Sequence, residues 1–587
     1  MKRISFYLIL LSCLHISLAN GDTPEKQQSV VIKPGDRGYA YSCFSGTEPK
    51  RLEVEILGIL ENAVPQSRRI IARVTGEPVS DAGIMAGMSG SPVYINDQLI
   101  GAMAYAFPFA SEPICGITPI QEMRSLFKSE QKRLNTNNTA LASREIFAHT
   151  NWNSPGMTPI ATPIVVMGMT YTMWQEMLKV DVYKRLFANT IPVVGGALST
   201  HRDKSHTIVA GSPIGVLLLD GDVRLAATGT ITEIDGDRFL AFGHPVFQSG
   251  SCNLPLVESE VVSFIPNLAT SFKLTNTGDV IGTIYNDGQS GAAGVLGKYP
   301  SLIPINVTVI DSTGIASNYS LKVIDNEMQM PVYTAIGIAT LMASNGPMTG
   351  DYSYKINVDI QIKNHKTFHI SKVVGRAANP YEEMFRTFNI MDELLNNPIE
   401  SLSFEKLDAH IQINEFTDYA IIESVQLLKT DIETGSVLPV QLTINPFRGS
   451  PFMQIIDFEI PDQLSPGKYR FVIADAPAYK SILNSRNLSA FNHRNIDDYL
   501  DELMLGGSEN YLHIILAKPV KDINLGHGIL PNSPPSLQSL MNTSGLDTET
   551  KTVRNVILSK DIPYPYQING FKECEIVVRN PLKNKKY

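Results

Sequence analysis

A serine set between glycines is the clearest candidate for chemistry in this sequence. Residues 87–92 read Gly-Met-Ser-Gly-Ser-Pro, which places Ser89 between Gly87 and Gly90. A nucleophilic serine needs a sharp turn that presents its hydroxyl and directs backbone N–H groups at the developing oxyanion. Glycine permits the backbone conformations that such a turn requires. We therefore predict that Ser89 is a nucleophile. The alternative is a tight turn that only joins two strands.

The serine needs a base, and the order of residues along the chain makes its identity unusual. The form G-x-S-G-x-P is typical of the nucleophile loop in chymotrypsin-like serine proteases, whose histidine precedes the serine. Here the only histidine before Ser89 is His15, inside an N-terminal apolar stretch. Among the later histidines, His244 stands in a Gly-His-Pro turn between predicted β-hairpins. Because chymotrypsin-like sites form between two barrels, we predict that His244 supplies the base from downstream.

Short alternating strands separated by turns surround both residues. They run through residues 30–123 and again through residues 212–325, with hairpin turns at Asn96-Asp97, Asp220-Gly221 and Asp235-Gly236. The stretches "TYTMWQEMLKVDVYKRLFANT" and "NIDDYLDELML" predict helices. Residues 405–475 alternate as in a β-sandwich of immunoglobulin type. The sequence therefore predicts a mainly β protein.

Four motifs in these blocks resemble the SpoIVB peptidase family, which are sporulation-type serine peptidases with a chymotrypsin-like double barrel. The motifs are "GIMAGMSGSPVYINDQLIGAMAYAF", "ICGITPIQEM", "FLAFGHPV" and "VIGTIYNDGQSGAAGVLG". In the family the histidine block precedes the serine block, so the resemblance implies a permuted chymotrypsin-like double β-barrel here. Permutation is tolerated where chain ends lie close together. The resemblance also implies an oxyanion hole formed by the N–H groups of Gly87 and Ser89.

One departure from the family concerns the acid that orients the histidine. The family carries an aspartate in a Val-Thr-Asp-Pro setting upstream of the serine, whereas this chain reads Val-Thr-Gly-Glu-Pro, with Gly76 in the aspartate's place. Loss of that carboxylate costs about 10⁴ in rate in a chymotrypsin-like enzyme. A Ser-His dyad and a site without activity therefore both remain open. Four other carboxylates are candidate replacements, and each is also explained as a solvated turn residue: Glu77, Asp81, Asp235 and Asp237.

The predicted organisation has seven parts. In chain order these are a signal peptide (1–19), a serine-containing β-barrel half (30–125), a connecting region with a helix (126–211), a histidine-containing β-barrel half (212–345), connecting strands and a helix (346–400), a β-sandwich module (401–480), and a mixed C-terminal region with a tail (481–587).

Composition narrows the classes of partner. The formal net charge is −9 and no long basic run occurs, which argues against a nucleic-acid binder. The cysteines show no C-x-x-C spacing, so we expect no metal site, and no motif predicts a cofactor. A disulfide between Cys43 and Cys115, which flank the serine motif, and buried free thiols are equally good interpretations of the cysteines in an exported chain.

The N-terminus predicts export. Lys2-Arg3 precedes an apolar stretch, and Ser17-Leu18-Ala19 offers small residues at the positions that a signal peptidase requires. The stretch is shorter than the roughly 20 residues that cross a bilayer. A lipoprotein cleavage site before Cys13 is the alternative. We therefore expect a periplasmic or extracellular protein.

Two functions follow from the sequence. The first is an exported serine endopeptidase that cleaves protein or peptide substrates through Ser89 and His244. The family resemblance implies narrow, regulatory cleavage, with membrane-associated proteins as a further class of partner. The alternative is an inactive peptidase-fold adaptor that binds peptides or envelope proteins. The sequence carries no signal for an oligomeric state.

Overall fold

The structure is a computed structural model. It describes residues 31–64, 67–128, 156–196, 207–346, 352–377, 379–429, 432–484, 495–504, 509–524, 529–530, 533–543 and 549–579. The predicted signal peptide, Cys13 and the last eight residues lie outside these ranges. Strands dominate the described chain, in agreement with the predicted mainly β class.

The first barrel is a closed ring of antiparallel strands that carries the serine motif. Its strands are β1 (Arg37–Ser42), β2 (Lys50–Val64), β3 (Ser67–Thr75), β4 (Pro92–Ile95), β5 (Gln98–Ala106) and β6 (Ile114–Pro119). Hydrogen bonding follows the order β1-β2-β3-β6-β5-β4, and β4 returns to β1. Three short helical segments accompany the ring: α1 (Val79–Ala82), α2 (Ile120–Arg124) and a 3₁₀ turn (Ser125–Phe127).

Alternation in the sequence explains the core of this barrel. In "RLEVEIL" the apolar Leu52, Val54 and Ile56 are buried, because successive side chains of a strand point to opposite faces. The β4–β5 hairpin turns at Asn96 and Asp97, whose φ angles are 49° and 60°. Both residues tolerate this left-handed conformation better than most, so the predicted hairpin is confirmed.

The second barrel is also a closed antiparallel ring, and it carries the histidine motif. Its strands are β10 (Pro213–Gly221), β11 (Arg224–Asp235), β12 (Arg238–Ala241), β13 (Gly250–Ile265), β14 (Phe272–Gly288) and β15 (Gly291–Leu296). The ring order is β10-β13-β14-β15-β12-β11, and β11 returns to β10. Two closed barrels in sequence are the architecture that the chymotrypsin-like prediction requires.

The sheet of the second barrel continues beyond the ring on both sides. The segment between the barrels contributes β7 (Thr158–Pro159), β8 (Thr162–Met167) and β9 (Thr190–Val194), and the downstream chain contributes β16 (Leu302–Ile310), β17 (Ala316–Ile324), β18 (Tyr352–Ile362), β19 (Phe368–Ala377) and β20 (Phe404–Asn414). β7 extends the first barrel and the others extend the second. Helix α5 (Met330–Asn345) is apolar on all sides, and it is buried against the sheet and α6 (Pro380–Leu395).

The C-terminal part contains two facing sheets. One sheet holds β21 (Tyr419–Leu427), β23 (Val437–Pro446), β24 (Phe452–Glu459) and β29 (Gln567–Asn569). The other holds β22 (Ile432–Glu433), β25 (Gly467–Ala474), β26 (Tyr511–Asn524), β27 (Ile529–Leu530), β28 (Glu549–Pro563) and β30 (Phe571–Arg579). They share one core, which includes Ile444, Phe458 and Phe471.

Two local predictions differ from the structure. The stretch "AHIQINEF", assigned to the sandwich, forms β20 and pairs with β16 and β18 in the large sheet. Alternation identifies a strand but does not specify its neighbours. The single helix predicted around Trp174 is two helices, α3 (Tyr171–Met177) and α4 (Asp181–Leu186), because Val180 between them has an extended backbone.

The remaining helices are α7 (Ala476–Asn484), α8 (Ile496–Met504) and α9 (Pro535–Thr543). Helix α8 confirms the prediction made from "NIDDYLDELML". Within the described ranges, no helix combines the length and apolar character that spanning a membrane would take. The two barrels join through a small apolar cluster that includes Ala102, Met123 and Leu240.

Candidate active site

The serine turn, residues 86–91, connects α1 to β4 at the junction of the barrels. Gly87 and Gly90 have φ angles of 91° and 98°, which L-residues with a Cβ resist. A Cβ on Gly90 would lie 2.0 Å from the carbonyl oxygen of Thr230 in the second barrel. Only glycine therefore permits the turn to approach that barrel this closely.

Strand β11 of the second barrel donates hydrogen bonds to the backbone carbonyl groups of the serine turn. The Thr230 N–H donates to the Ser89 carbonyl at 2.9 Å, and the Thr230 hydroxyl donates to the Gly87 carbonyl at 3.0 Å. The Thr232 hydroxyl donates to the Gly90 carbonyl at 2.7 Å. The backbone around Ser89 is consequently held by the barrel that carries the histidine.

The N–H groups predicted to form the oxyanion hole belong to the same turn. In the described part of the chain, neither the Gly87 N–H nor the Ser89 N–H donates a hydrogen bond, whereas the Gly90 N–H donates to Met103 at 2.8 Å. An oxyanion hole requires two donors with no other acceptor. The assignment of this hole stays a prediction.

The histidine turn, residues 242–249, follows β12 and packs on the first barrel. Phe242 and Gly243 have φ angles of 68° and 72°. The Thr118 hydroxyl donates to the Gly243 carbonyl at 2.6 Å, and a Cβ on Gly243 would lie 3.0 Å from the Ala104 Cβ. Both turns therefore meet at strand β5, where Ala104 lies next to the Met103 that binds the serine turn. The fold brings the two sequence-predicted residues to one junction.

The ring of His244 has a defined tautomer. Its Nδ1 lies 2.8 Å from the Pro245 carbonyl oxygen. A carbonyl oxygen only accepts, so Nδ1 carries the proton and Nε2 keeps its lone pair. This is the tautomer that a general base needs, and a backbone carbonyl here makes the bond that an orienting carboxylate makes in a serine protease triad.

Both predicted catalytic side chains are buried in this structure. Ser89 and His244 are each 1% exposed, and within the described residues Ser89 Oγ and His244 Nε2 have no hydrogen-bond partner. The Ser–His hydrogen bond is thus not formed. Burial lowers the pKa of His244, while the carbonyls of Pro245 and Ile160 oppose that shift. The imidazole is therefore neutral at neutral pH.

A segment between the barrels covers the site. We call residues 157–163 the cleft segment. The Ile160 N–H donates to the Ala104 carbonyl at 2.9 Å, which extends the pairing of β7 with β5. A Cβ on Gly87 would lie 3.3 Å from Pro163 Cγ. Because the Ile160 carbonyl also faces the His244 ring, the cleft segment lies against both turns, where Ser89 and His244 are buried.

The four candidate acids are at the surface, whereas the histidine ring is buried. Glu77, Asp81, Asp235 and Asp237 are all exposed, and Asp235 is paired with Arg238. The atom that an orienting acid would bind, His244 Nδ1, is instead paired with a carbonyl. The role of each of these acids stays a prediction.

A different aspartate organises the histidine turn, and the sequence did not point to it. The Asp287 carboxylate is fully buried and accepts N–H bonds from Val246 and Phe247 at 2.8 Å and from Ser249 at 3.1 Å. Burial raises the pKa of Asp287, and these bonds oppose the shift. Asp287 stands in the motif "VIGTIYNDGQSGAAGVLG", which supports the family resemblance but assigns no role to this aspartate. An acid between a buried strand and a glycine turn was the available signal.

The described cysteines are free thiols, so of the two interpretations the free thiols are confirmed and the Cys43–Cys115 disulfide is wrong. Cys115 is fully buried in β6, where burial raises its pKa to about 12. The Cys43 thiol, buried after β1, donates to the carbonyls of Ser45 and Gly46. Cys43 and Cys115 flank the serine motif in the sequence, but their side chains pack on different partners in the structure and form no disulfide.

Comparison with known proteins supports the family resemblance for the first barrel. The model of the family described as SpoIVB peptidase S55 matches residues 26–123, which include α1, the serine turn and all six strands of the ring. No curated protein and no solved structure matches the chain. The family match supports a serine peptidase function, and a peptidase family implies protein substrates. The part of the chain that carries Ser89 is therefore confirmed as a match to the SpoIVB peptidase family.

Proposed function

We propose that this protein is an exported serine endopeptidase in which Ser89 is the nucleophile and His244 is the general base. The observation that carries the proposal is the state of His244: a neutral ring with Nδ1–H bound to a carbonyl and Nε2 buried without a partner. A buried polar atom without a partner is costly in a stable core, and a catalytic role is one of the explanations for it. The family match to the serine-bearing barrel supports the same reaction.

The proposed reaction uses groups of this chain alone. Ser89 Oγ attacks the carbonyl carbon of the scissile peptide bond while His244 Nε2 takes the hydroxyl proton. The N–H groups of Gly87 and Ser89 stabilise the oxyanion that forms. The imidazolium then gives its proton to the leaving amine as the C–N bond breaks. Water, deprotonated by the same Nε2, releases the acid product and restores Ser89.

Catalysis requires the closed site to open. The cleft segment must leave the junction for a peptide to reach Ser89, and the two reactive side chains must approach each other. A closed resting state fits narrow, regulatory cleavage rather than general digestion. We propose that protein substrates, including membrane-associated ones, are cleaved only after this opening.

Burial of the site is also the observation that favours the second candidate function. With Ser89 and His244 each 1% exposed and not bonded to each other, the double barrel could serve as an adaptor that binds proteins without cleaving them. The adaptor needs neither reactive side chain.

The two functions are separated by labelling the purified mature protein with a fluorophosphonate probe, which reacts with an activated serine. We expect labelling that Ser89→Ala abolishes and that His244→Ala lowers by about 10³-fold or more. Ser263→Ala and His410→Ala are matched controls, since both residues are exposed. Absence of labelling in the folded wild type would favour the adaptor.

The pH dependence of labelling tests the state of His244. Its pKa is lowered by burial from 6.5, so the rate should stay constant down to about pH 6.5 and fall only below it. The free energy of unfolding should depend on pH in the same direction. The unfolded histidine binds a proton at higher pH than the folded one, so the free energy of unfolding falls as pH drops below 6.5. A rate that already falls above pH 7 would contradict a buried neutral base.

The cleft segment is tested by loosening its anchor. Ile160 is 2% exposed, and Ile160→Gly removes the side chain that fixes the segment. If closure limits reactivity, labelling should become faster by about tenfold, whereas Ile315→Gly at an exposed site should leave it unchanged. Unchanged or slower labelling of Ile160→Gly would show that the cleft segment does not restrain the site.

Export is tested on the natural protein. We propose cleavage after Ala19, which N-terminal sequencing of the mature chain would show. A chain beginning with a lipid-modified Cys13 would replace this proposal with an anchored lipoprotein.

A further inference from the structure

A lysine from the second barrel is buried directly behind the serine turn. Lys273 in β14 is 2% exposed. Within the described residues, no carboxylate lies within ion-pair distance of its ammonium group. Buried lysines without a carboxylate are rare, because desolvation of an ammonium is costly. The burial of Lys273 therefore needs a structural or functional explanation, since a buried lysine contributes neither to solubility nor to surface charge.

The ammonium group of Lys273 is bonded to Ser42, which is itself bonded to a second buried serine, Ser91. Its Nζ donates to Ser42 Oγ at 3.0 Å, and Ser91 Oγ donates to the same Ser42 oxygen at 2.9 Å. The Phe44 ring lies 5.4 Å from Nζ and supplies a cation–π contact. Ser91 is the last residue of the serine turn, so the lysine reaches the C-terminal end of the turn through Ser42.

The same residue also contacts the N-terminal end of the turn. The Lys273 N–H donates to the Ala86 carbonyl at 3.2 Å, and the Ala86 N–H donates to the Ser271 carbonyl at 2.8 Å. A Cβ on Gly87 would lie 3.3 Å from Lys273 Cδ, so the aliphatic stem lies against the predicted oxyanion-hole residue. The backbone and the stem of Lys273 thus contact the turn directly at Ala86 and Gly87, and its ammonium group reaches Ser91 through Ser42.

We propose that Lys273 is a positioning residue that clamps the serine turn at both ends and so sets the orientation of Ser89 and of the oxyanion-hole N–H groups. The proposed consequence for reactivity rests on the serine peptidase function proposed above. The clamp itself does not. A hydrogen bond from an ammonium group is stronger than one between neutral groups, so the charge on Lys273 sets how firmly the clamp holds.

The charge of Lys273 gives the clamp a measurable pH dependence. Burial lowers the pKa of Lys273 to about 8, and Cys43 opposes that shift. Cys43 is the titratable group that faces the ammonium, and its own pKa is raised by burial and by Glu48 and Glu260. Above pH 8 the lysine loses its proton, the charge-assisted bond to Ser42 weakens, and labelling of Ser89 should slow.

The test compares Lys273→Met, which keeps the stem without the charge, with Lys273→Arg, which keeps a charge at high pH, and with Lys298→Met at an exposed site as the control. Fluorophosphonate labelling of Ser89 is measured from pH 6 to pH 10. We expect Lys273→Met to label about tenfold to a hundredfold more slowly, with no inflection near pH 8. Lys273→Arg should recover part of the rate and lack the decline above pH 8. Cys43→Ser should keep the decline.

Hydrogen exchange of the peptide that contains the serine turn provides a readout without activity. Exchange of the Ala86 and Gly90 amides should be faster in Lys273→Met and in Ser42→Ala than in the wild type, while circular dichroism of both variants stays native. Normal exchange, rate and pH profile in folded Lys273→Met would overturn the clamp. If the wild type is never labelled, the peptidase proposal fails and the exchange experiment alone decides the clamp. If Lys273→Met does not fold, Ser42→Ala decides it by the same two measurements.

Discussion

The serine turn and the histidine turn are held in place by different parts of the molecule. Thr230 and Thr232 of the opposite barrel bind the backbone of the serine turn. The histidine turn is organised mainly within its own barrel, where Asp287 accepts three backbone N–H groups. The orientation of Ser89 therefore depends on the docking of the barrels, whereas the orientation of His244 is largely local.

This difference explains how a serine-bearing barrel that precedes the histidine-bearing barrel is compatible with one site. Each turn packs on the other barrel, but neither turn depends on how the chain connects the two barrels. The link between barrels, which includes the cleft segment, crosses the junction and pairs with both. The contacts that hold the two turns at the junction therefore do not depend on which barrel comes first in the chain.

The largest expected effect comes from the glycines of the two turns. In Gly90→Ala the new Cβ would meet the Thr230 carbonyl at 2.0 Å, so the barrels must separate, at a cost of about 3 kcal/mol or more in the free energy of unfolding. In Gly243→Ala the contact is a methyl group at 3.0 Å, and the cost should be about 1–2 kcal/mol. Urea denaturation measures both. Equal costs would contradict the stronger dependence of the serine turn on docking.

A second, smaller effect concerns Asp287. In Asp287→Asn the amide group cannot accept all three backbone N–H bonds, so stability should fall by about 2 kcal/mol. Labelling of Ser89 should slow by about tenfold, because the turn that carries Pro245 loses its support. Asp462→Asn, at an exposed position in the C-terminal part, is the matched control and should change neither.

Hydrogen exchange sharpens this second test. The amides of Val246 and Phe247 should exchange faster in Asp287→Asn, while the Gly90 amide in the serine turn should be unchanged. Faster exchange in both turns would show that they form one cooperative unit, and the distinction between local and cross-barrel support would be lost.

The smallest effect compares two threonines that bind across the barrel junction. Thr230→Val leaves the Gly87 carbonyl without its hydroxyl donor, and Thr118→Val does the same for the Gly243 carbonyl. Each should cost about 1 kcal/mol in the free energy of unfolding. Only Thr230→Val should slow the labelling of Ser89 in proportion, since the histidine turn keeps its bonds to Asp287. An equal loss of labelling in both variants would contradict this.

Local features of the site followed from the sequence because they depend on residue type alone. Gly87 and Gly90 were recognised as turn glycines, and both have positive φ. The Asn96-Asp97 hairpin was recognised for the same reason. The motifs around Ser89 identified a family that the comparison then matched over residues 26–123.

Residues that act through packing could not be predicted from the sequence. Lys273 lies in "SFKLTNTG", which predicts only a strand, and its ammonium group meets Ser42 from a strand more than two hundred residues away. The cover that the cleft segment forms and the free thiol of Cys43 could not be predicted for the same reason. No local pattern encodes a contact between residues so distant in the chain.

The sequence by itself determined which residues can do chemistry here: a serine and a histidine, each in a glycine-rich turn, carried by two blocks of alternating strands. Alternation and turn residues determine local backbone structure over a few neighbouring residues, so they can be recognised without a structure. Only the tertiary structure decided how those residues are supported and whether they are reachable. Closure of the two rings and the support of the histidine turn by Asp287 depend on contacts within one barrel. The contact of Lys273 with Ser42 and the cover over Ser89 depend on contacts across the junction. Such contacts arise from burial and hydrogen bonding between distant segments, which the chain acquires only when both barrels have folded.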